Sequence, residues 1–228
     1  MDQSFDFEGA AAPVREAGRV AGAVMVLAAF QAWILGRLRR HGGHAAVESP
    51  TGSGKTLMAR ALVGLDLGRA GGFTHALVAA PQEQIERGFL RDHDMVITWP
   101  EGTAAQPRLH VPATLFRAAR SDGCGTRVSI RRYLAGAGAR GYALACTHAA
   151  LTTLRPDDLP DDLTGRILII DEAHHVCAVG LARVARLWRE REGRLLLVTA
   201  TPYRGDGQPV ILPDMVHLRR SLAEHMEE

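Results

Sequence analysis

The fold is decided by the stretch Ser49-Pro50-Thr51-Gly52-Ser53-Gly54-Lys55-Thr56. A short apolar run at 44–47 precedes it and an apolar helical pattern over 57–67 follows it, so the stretch joins a predicted strand to a predicted helix. In that context the glycines let the backbone approach a polyphosphate closely, and the N–H groups at the helix N-terminus face it. We therefore predict a phosphate-binding loop.

Two side chains at the end of the loop suit the binding of a nucleotide and magnesium. Lys55 would place a compact positive charge on the β- and γ-phosphates, and the hydroxyl of Thr56 would ligate Mg²⁺. The usual pattern G-x-x-x-x-G-K-[ST] has a glycine where this chain has Ser49. The phosphates would also be bound by Thr51, Gly52, Ser53 and Gly54.

Lys55 is the only lysine of the chain, so the other 26 of its 27 Lys and Arg residues are arginines. A loop that encloses phosphates needs a narrow, flexible point charge and not a planar guanidinium fork. The exclusive lysine at this position therefore favours nucleotide binding over the alternative of a surface turn made of Gly, Ser and Lys.

Length and composition indicate one globular domain, or one domain with a small appendage, with a sizeable core, since 46% of the 228 residues are hydrophobic. The net charge of +2 does not by itself indicate a nucleic-acid-binding protein. Three widely spaced cysteines without a CxxC pair argue against a disulfide framework or a zinc site and predict a cytoplasmic location. We expect a loose lead-in over 1–18, the nucleotide-binding domain over 19–205, and a tail or link over 206–228.

The apolar run at 20–36 has the length of a short membrane span, but alanine and glycine dilute it and acidic residues precede it. We predict a buried helix over about 20–40, ended by Gly42-Gly43, and no membrane partner.

Aliphatic runs at 44–47, 75–80, 142–147, 166–170 and 195–198 alternate with helical segments. Continuous apolar strands separated by helices are typical of an α/β fold with a parallel sheet covered by helices on both faces. The run at 95–99 could be a strand or the end of a helix. Ligands of such sheets bind at the carboxyl ends of the strands, where the polar motifs of this chain lie.

Asp171 and Glu172 follow the strongest predicted strand, 166–170. Asp171 would be held at the strand tip near the loop and would ligate magnesium, while Glu172 would orient or deprotonate the attacking water. The alternative is a simple helix N-cap, which the upstream phosphate loop disfavours.

Seven arginines lie between 108 and 140 against the single acid Asp122. They could contact the phosphates of a nucleic acid, or form a solvated helix face beside a glycine-rich loop. The sequence leaves both interpretations open.

Three segments together resemble motifs I, II and III of superfamily 2 helicases, in the DEAD/DEAH-box-like group that includes restriction-enzyme translocase subunits. They are Thr51-Gly-Ser-Gly-Lys55-Thr56, Asp171-Glu-Ala-His174 and Thr199-Ala-Thr201-Pro-Tyr-Arg204. The order and spacing match over about 25–205, and the loop Pro-Thr-Gly-Ser-Gly-Lys-Thr is the superfamily's own form. The resemblance implies a RecA-like P-loop NTPase domain that binds Mg-ATP and hydrolyses it.

The resemblance also implies roles for other residues. Ala79-Ala80-Pro81 with Gln84, and Cys146-Thr147-His148 with Leu151, resemble motifs that touch the nucleic-acid backbone. Phe30-Gln31 resembles the motif in which glutamine reads adenine, although Ala28 replaces the arginine often found before it. Coupling between nucleotide state and nucleic-acid binding would fall to His174, Thr199 and Thr201.

Three functions remain open at this stage. The first is the ATPase half of a helicase or translocase, with DNA favoured over RNA because Thr201-Pro-Tyr-Arg204 looks like the restriction translocases. The second is a module that grips nucleic acid in a nucleotide-dependent way without unwinding it. The third, a signalling or kinase-like P-loop protein, is disfavoured by the motifs at 171–174 and 199–201.

Superfamily 2 helicases hold ATP between two RecA-like domains, and only 24 residues follow Arg204. We therefore expect a second RecA-like domain or subunit to be needed for full activity, because an arginine finger supplied by it contributes about 10³–10⁵ in rate. The purified 228-residue chain should bind ATP, hydrolyse it slowly and fail to unwind a duplex, as measured by ATP turnover and strand displacement. Robust turnover stimulated by nucleic acid would contradict this expectation.

Overall fold

A central sheet of seven parallel strands organises the structure, a computed structural model that describes residues 23–82, 85–90, 94–100, 108–119, 125–136, 138, 140–177, 179–201, 203, 207, 209–210 and 214–219. Ten strands are described in chain order: β1 Ala23–Val26, β2 Ala45–Glu48, β3 His75–Ala80, β4 Met95–Thr98, β5 Arg108–Val111, β6 Phe116–Ala118, β7 Ala143–Thr147, β8 Arg166–Asp171, β9 Arg194–Thr199 and β10 Val216–Arg219. The central sheet has the order β10-β2-β9-β8-β3-β7-β6, and β1, β4 and β5 form a second, small sheet.

Five α-helices lie within the described ranges: α1 Ala29–His41, α2 Lys55–Asp66, α3 Thr126–Ala135, α4 His148–Thr152 and α5 Val179–Glu190. One π-helical turn, Ile85–Phe89, follows β3. Helix α1 ends at Gly42, whose φ of 68° is the left-handed conformation that terminates helices and that glycine adopts without strain.

The central sheet is buried on both faces, as the uninterrupted aliphatic runs predict. In β3, Ala76 and Val78 pack into one hydrophobic cluster with α1 and α2, whereas Leu77 and Ala79 pack into another with α3, α4 and α5. Successive side chains of a strand point to opposite faces, so one apolar strand contributes to both clusters. The predicted α/β fold with helices on both faces of a parallel sheet is confirmed.

The predicted helix over 20–40 is wrong in its first part. Ala23–Val26 is a strand that pairs in parallel with β4, and the helix begins at Ala29. A continuous apolar run has no periodicity to separate strand from helix, and pairing with β4 decides the outcome for the β-branched Val24 and Val26. No helix in the described ranges is long and apolar enough to cross a membrane.

Residues 95–99, which the sequence left open, contain the strand β4. The small sheet packs against α2, and the contact is made by its strand β5. A Cβ built on Gly64 of α2 would lie 3.2 Å from Val111 and 3.3 Å from Leu109, so the glycine lets the strand approach the helix closely.

The C-terminal segment, for which we expected a tail or link over 206–228, contributes β10 to the central sheet at 216–219. Its pairing with β2 is reinforced by side chains. His217 Nε2 lies 2.9 Å from one carboxylate oxygen of Glu48, and Arg219 Nε lies 3.2 Å from the other. The local sequence does not predict this strand, because the segment is short and the sequence before it is rich in turn residues. Its extended conformation depends on pairing with β2.

A buried tyrosine ties α3 to the middle of the sheet. The hydroxyl of Tyr133 accepts a hydrogen bond from the backbone N–H of Ala76 at 3.0 Å and lies 2.8 Å from the carbonyl oxygen of Tyr142, to which it donates. A backbone donor left without a partner in the interior costs about 1–3 kcal/mol.

We therefore expect Tyr133→Phe to lower the free energy of unfolding by about 1–3 kcal/mol, because the Ala76 N–H loses its acceptor. Urea denaturation followed by circular dichroism measures the change. Tyr203→Phe is the matched control, since Tyr203 is exposed and its substitution should change stability by less than about 0.5 kcal/mol. Equal stability of Tyr133→Phe and the unmodified protein would contradict the assignment.

Candidate functional site

The predicted phosphate loop connects β2 to α2 at the carboxyl edge of the central sheet. Gly52 and Gly54 have φ angles of 83° and 76°, and α2 begins immediately afterwards at Lys55. Glycine adopts this left-handed conformation without strain, which allows the loop to turn directly into α2. The free N–H groups of the first turn of α2 therefore lie at the end of the loop, where they can donate hydrogen bonds to an anion.

Serine at position 49 has a structural role. Its hydroxyl lies 2.7 Å from the hydroxyl of Ser53, on the other side of the loop, and both residues are buried. The departure from the usual glycine therefore supplies a brace across the loop, which the sequence pattern alone did not indicate.

Lys55 lies inside the loop and is only 8% exposed. Its Nζ donates hydrogen bonds to the carbonyl oxygens of Ser49 at 3.1 Å and Pro50 at 3.0 Å. Burial lowers the pKa of Lys55, and the carboxylates of Glu172 and Asp171 oppose that shift. The charge of the single lysine thus interacts with Asp171 and Glu172, the two acidic residues predicted from the sequence to belong to the site.

Thr56 and Asp171 meet in the fold although 115 positions separate them in sequence. The Thr56 hydroxyl donates to Asp171 Oδ2 at 3.1 Å. Strand order explains the contact, because β9 lies between β2 and β8 and the carboxyl ends of all three strands reach the same edge. A hydroxyl and a carboxylate at this distance form the hard oxygen donor set that Mg²⁺ prefers, so these residues fit the metal.

Asp171 is the last residue of β8 and is 1% exposed. Burial, and secondarily the charge of Glu172, raises its pKa to about 6, while Thr56 and Lys55 act in the opposite direction. Removal from water disfavours the charged form of a carboxylate. Ionised Asp171 is therefore a costly group, which a bound cation would stabilise.

Glu172 leaves the strand with a φ of 50°, one of two left-handed residues other than glycine in the described part of the chain. Such a conformation is strained for a residue with a Cβ and concentrates at functional sites. The left-handed residue directly follows Asp171, where the strand ends. Glu172 Oε2 lies 3.4 Å from His174 Nδ1.

His174 connects the end of β8 to the end of β9. Its Nδ1 lies 3.3 Å from Thr199 Oγ1. The Thr199 hydroxyl also donates to the carbonyl oxygen of Thr201 at 2.7 Å, so it links His174 to Thr201. Thr199 is buried and the Thr201 side chain is exposed. The structure brings together the three residues predicted to couple the motifs.

Gln31 reaches the loop from the first turn of α1. Its side-chain Nε2 donates to the carbonyl oxygen of Ser53 at 2.6 Å, and its Oε1 accepts from the Ala28 N–H at 2.8 Å. The residue is placed at the site as the sequence predicted, but its amide contacts the loop backbone.

Among the residues predicted to contact nucleic acid, Thr147 ends β7, while Pro81 and His148 directly follow β3 and β7, which are neighbours in the sheet. Ala80 and Thr147 pair in register, so Pro81 and His148 both lie just beyond the carboxyl edge. The Thr147 hydroxyl accepts from the Ala150 N–H and caps α4. Gln84 lies outside the described residues.

The imidazole of His148 points back toward the acidic motif. Its Nε2 donates to the carbonyl oxygen of Asp171 at 2.8 Å, so the end of β7 is connected to the metal-binding candidate across the end of β3. The sequence could not predict this contact, because it depends on the order of the strands in the sheet and not on the residues around His148.

Several arginines of the stretch 108–140 have partners within the protein. Arg127 makes a bidentate ion pair with the buried Asp158, at 2.6 and 3.0 Å, and the Arg117 guanidinium stacks on the Tyr142 ring at 4.1 Å. Arg120 lies outside the described residues. For Arg127 and Arg117 the contacts favour a structural role over phosphate binding.

No protein-family model matches this sequence, and no curated protein matches it. Among solved structures, the Hef helicase domain of Pyrococcus furiosus is similar over 87% of this chain and 39% of that chain, with 16% identity and a TM-score of 0.54. The SWI2/SNF2 ATPase core of Sulfolobus solfataricus in complex with dsDNA is similar over 77% of this chain and 32% of that chain, with 17% identity and a TM-score of 0.45. The chain therefore spans 32–39% of the length of these structures, and the likeness to the Hef domain shows the α/β fold alone.

The raised pKa of Asp171 predicts a stability change that needs no ligand. Its folded value of about 6 exceeds the ordinary value of 3.8, so the protonated form stabilises the folded state below about pH 4, and this contribution is lost as the pH rises to about 6. Asp171→Asn should therefore raise the free energy of unfolding at pH 7.5 by up to about 3 kcal/mol and change it little at pH 4.

Urea denaturation at both pH values, in a buffer containing EDTA, measures this difference. Asp162→Asn is the control, because the exposed Asp162 accepts a hydrogen bond from the Thr164 N–H and its pKa is lowered. That substitution should not stabilise the protein at pH 7.5. An Asp171→Asn variant less stable than the unmodified protein at pH 7.5 would show that burial does not dominate at this carboxylate.

Proposed function

We propose that this chain is an ATP-binding motor domain of a DNA or RNA helicase or translocase, which binds Mg-ATP and the nucleic-acid backbone. One observation carries the proposal. The Thr56 hydroxyl lies 3.1 Å from the Asp171 carboxylate, directly after the loop that holds Lys55. Two motifs far apart in sequence thereby meet, which supports a shared site for phosphate and metal.

The loop and its lysine would hold the triphosphate. The N–H groups at the start of α2, with Thr51, Gly52, Ser53 and Gly54, would surround the β- and γ-phosphates. Lys55 Nζ would exchange the carbonyl oxygens of Ser49 and Pro50 for phosphate oxygens, to which a cation bonds more strongly. Thr56 and Asp171 would hold Mg²⁺, which supplies neutralisation of phosphate charge during transfer.

Glu172 is the proposed residue for water activation. It follows Asp171 at the same edge of the sheet, in a left-handed backbone conformation, and its carboxylate lies 3.4 Å from His174 Nδ1. A carboxylate separate from the metal ligand can orient a water molecule and accept its proton as it attacks the γ-phosphate.

The hydrogen bonds of His174 support a coupling role. Thr199 and Glu172 both lie within 3.4 Å of its Nδ1, so a change at the water-activating carboxylate would reach the end of β9. Nucleic acid would bind beyond β3 and β7, through Pro81, Gln84, Thr147 and the segment around His148. The likeness of 201–204 to restriction translocases favours DNA over RNA, and the cysteine pattern favours a cytoplasmic location.

A second RecA-like domain or subunit would complete this site. In superfamily 2 helicases ATP lies between two such domains, and the second supplies arginine fingers to the transferred phosphate. We propose the same division here, with the loop and the acidic motif as one wall of the ATP site. A nucleotide-dependent nucleic-acid-binding module without unwinding activity is the alternative within the same class of site.

Substitution of Glu172 tests the proposed chemistry. We expect Glu172→Gln to bind ATP with unchanged affinity and to lower single-turnover hydrolysis by at least about 10²-fold, because the amide cannot accept the proton of water. Turnover is measured with and without single- and double-stranded DNA and RNA. Nucleic acid that binds without stimulating turnover, even with a second domain supplied, would favour the alternative.

Lys55→Ala is the matched control for binding. It should lose nucleotide affinity, because the only lysine of the loop provides the charge beside the phosphates. If Lys55→Ala and the unmodified protein bind ATP equally, the proposed function is wrong.

A further inference from the structure

The side chain of Gln31 is built into the loop and not directed outward. It is 5% exposed, and both ends of its amide are engaged by backbone groups. Oε1 accepts from the Ala28 N–H at 2.8 Å, and Nε2 donates to the Ser53 carbonyl oxygen at 2.6 Å. One amide therefore fastens the phosphate loop to the first turn of α1.

The contact with Gly54 makes this arrangement specific. A Cβ at position 54 would lie 2.2 Å from Gln31 Nε2, a distance that no pair of nonbonded atoms tolerates. Gly54 also has a φ of 76°, a left-handed conformation that glycine adopts without strain. Because position 54 has no Cβ, the Gln31 amide can pack directly on the loop.

Reading a base requires the same two atoms. A glutamine recognises adenine by donating from its nitrogen and accepting with its oxygen at once, in a bidentate pair. In Gln31 these atoms already serve Ser53 and Ala28. Turning the amide toward a base would remove the partner of the buried Ser53 carbonyl and of the half-buried Ala28 N–H, and the first loss is costly.

We propose that Gln31 is a positioning residue that braces the phosphate loop, and that the site takes nucleoside triphosphates irrespective of their base. This inference rests on the proposed nucleotide-binding function and deepens it by naming the substrate class. It differs from the adenine-reading role that the sequence resemblance implied. Affinity then comes from the phosphates and magnesium, which ATP and GTP share.

The first measurement uses the unmodified chain with Mg²⁺. Dissociation constants of ATP and GTP, from competition against a fluorescent triphosphate, should agree within about threefold. A site that reads a base by buried hydrogen bonds would separate them by much more, up to about 10⁴-fold. A preference for ATP above about tenfold overturns the inference, while nucleotide binding and the proposed function stand.

The second measurement compares variants of Gln31. Gln31→Ala removes both hydrogen bonds of the brace and should weaken ATP and GTP equally, by about tenfold. Gln31→Glu keeps the size of the side chain and the acceptor for the Ala28 N–H but loses the donor to Ser53, so it too should weaken both nucleotides. Trp33→Ala, on the exposed part of α1, should leave both affinities unchanged.

The outcomes separate the inference from its premise. If the unmodified chain binds ATP and GTP equally and Gln31→Ala binds both with the same affinities, the proposed positioning role of Gln31 is wrong. A loss confined to ATP in Gln31→Ala would restore the base-reading role and overturn the inference. If neither nucleotide binds the unmodified chain, with Lys55→Ala indistinguishable from it, the proposed function fails and the inference fails with it.

Discussion

The hydrogen bond between Thr56 and Asp171 is the contact on which the site depends. It exists because β2, β9 and β8 are adjacent parallel strands whose carboxyl ends reach one edge. The loop after β2 and the acid that ends β8 are then held by a sheet buried on both faces, which cannot shift without disrupting two hydrophobic clusters. A rigid sheet thus positions groups that local sequence could not bring together.

The same burial gives the site its electrostatic character. Lys55 and Asp171 are both removed from water, which lowers the pKa of the lysine and raises that of the carboxyl. The charge of each group partly opposes the shift that burial causes in the pKa of the other. Buried charged groups of this kind lower the stability of the folded protein, but they interact strongly with a ligand of opposite charge. Binding sites commonly show this exchange of stability for function.

Local sequence predicted those features that depend on one segment. The strand 75–80 was predicted with its observed bounds, because its apolar run ends in Pro81, and the left-handed Gly42 ends α1 where the Gly-Gly pair indicated. The prediction was wrong at 23–26, where a continuous apolar run is compatible with either helix or strand, and at 216–219, where β2 decides. In both cases the missing information was the identity of the neighbouring strand.

By itself, the sequence determined the loop, its single lysine, the acidic pair after an aliphatic strand, and the parallel α/β architecture. Residue type and spacing suffice there, because glycine conformation, strand burial and helix termini are local properties. Only the tertiary structure decided where long polar side chains point. Gln31 is buried and His148 is half-buried, and polar groups removed from water need partners, so Gln31 contacts the Ser53 carbonyl and His148 the Asp171 carbonyl. Which partners are available depends on the order of strands and helices, which no single segment specifies.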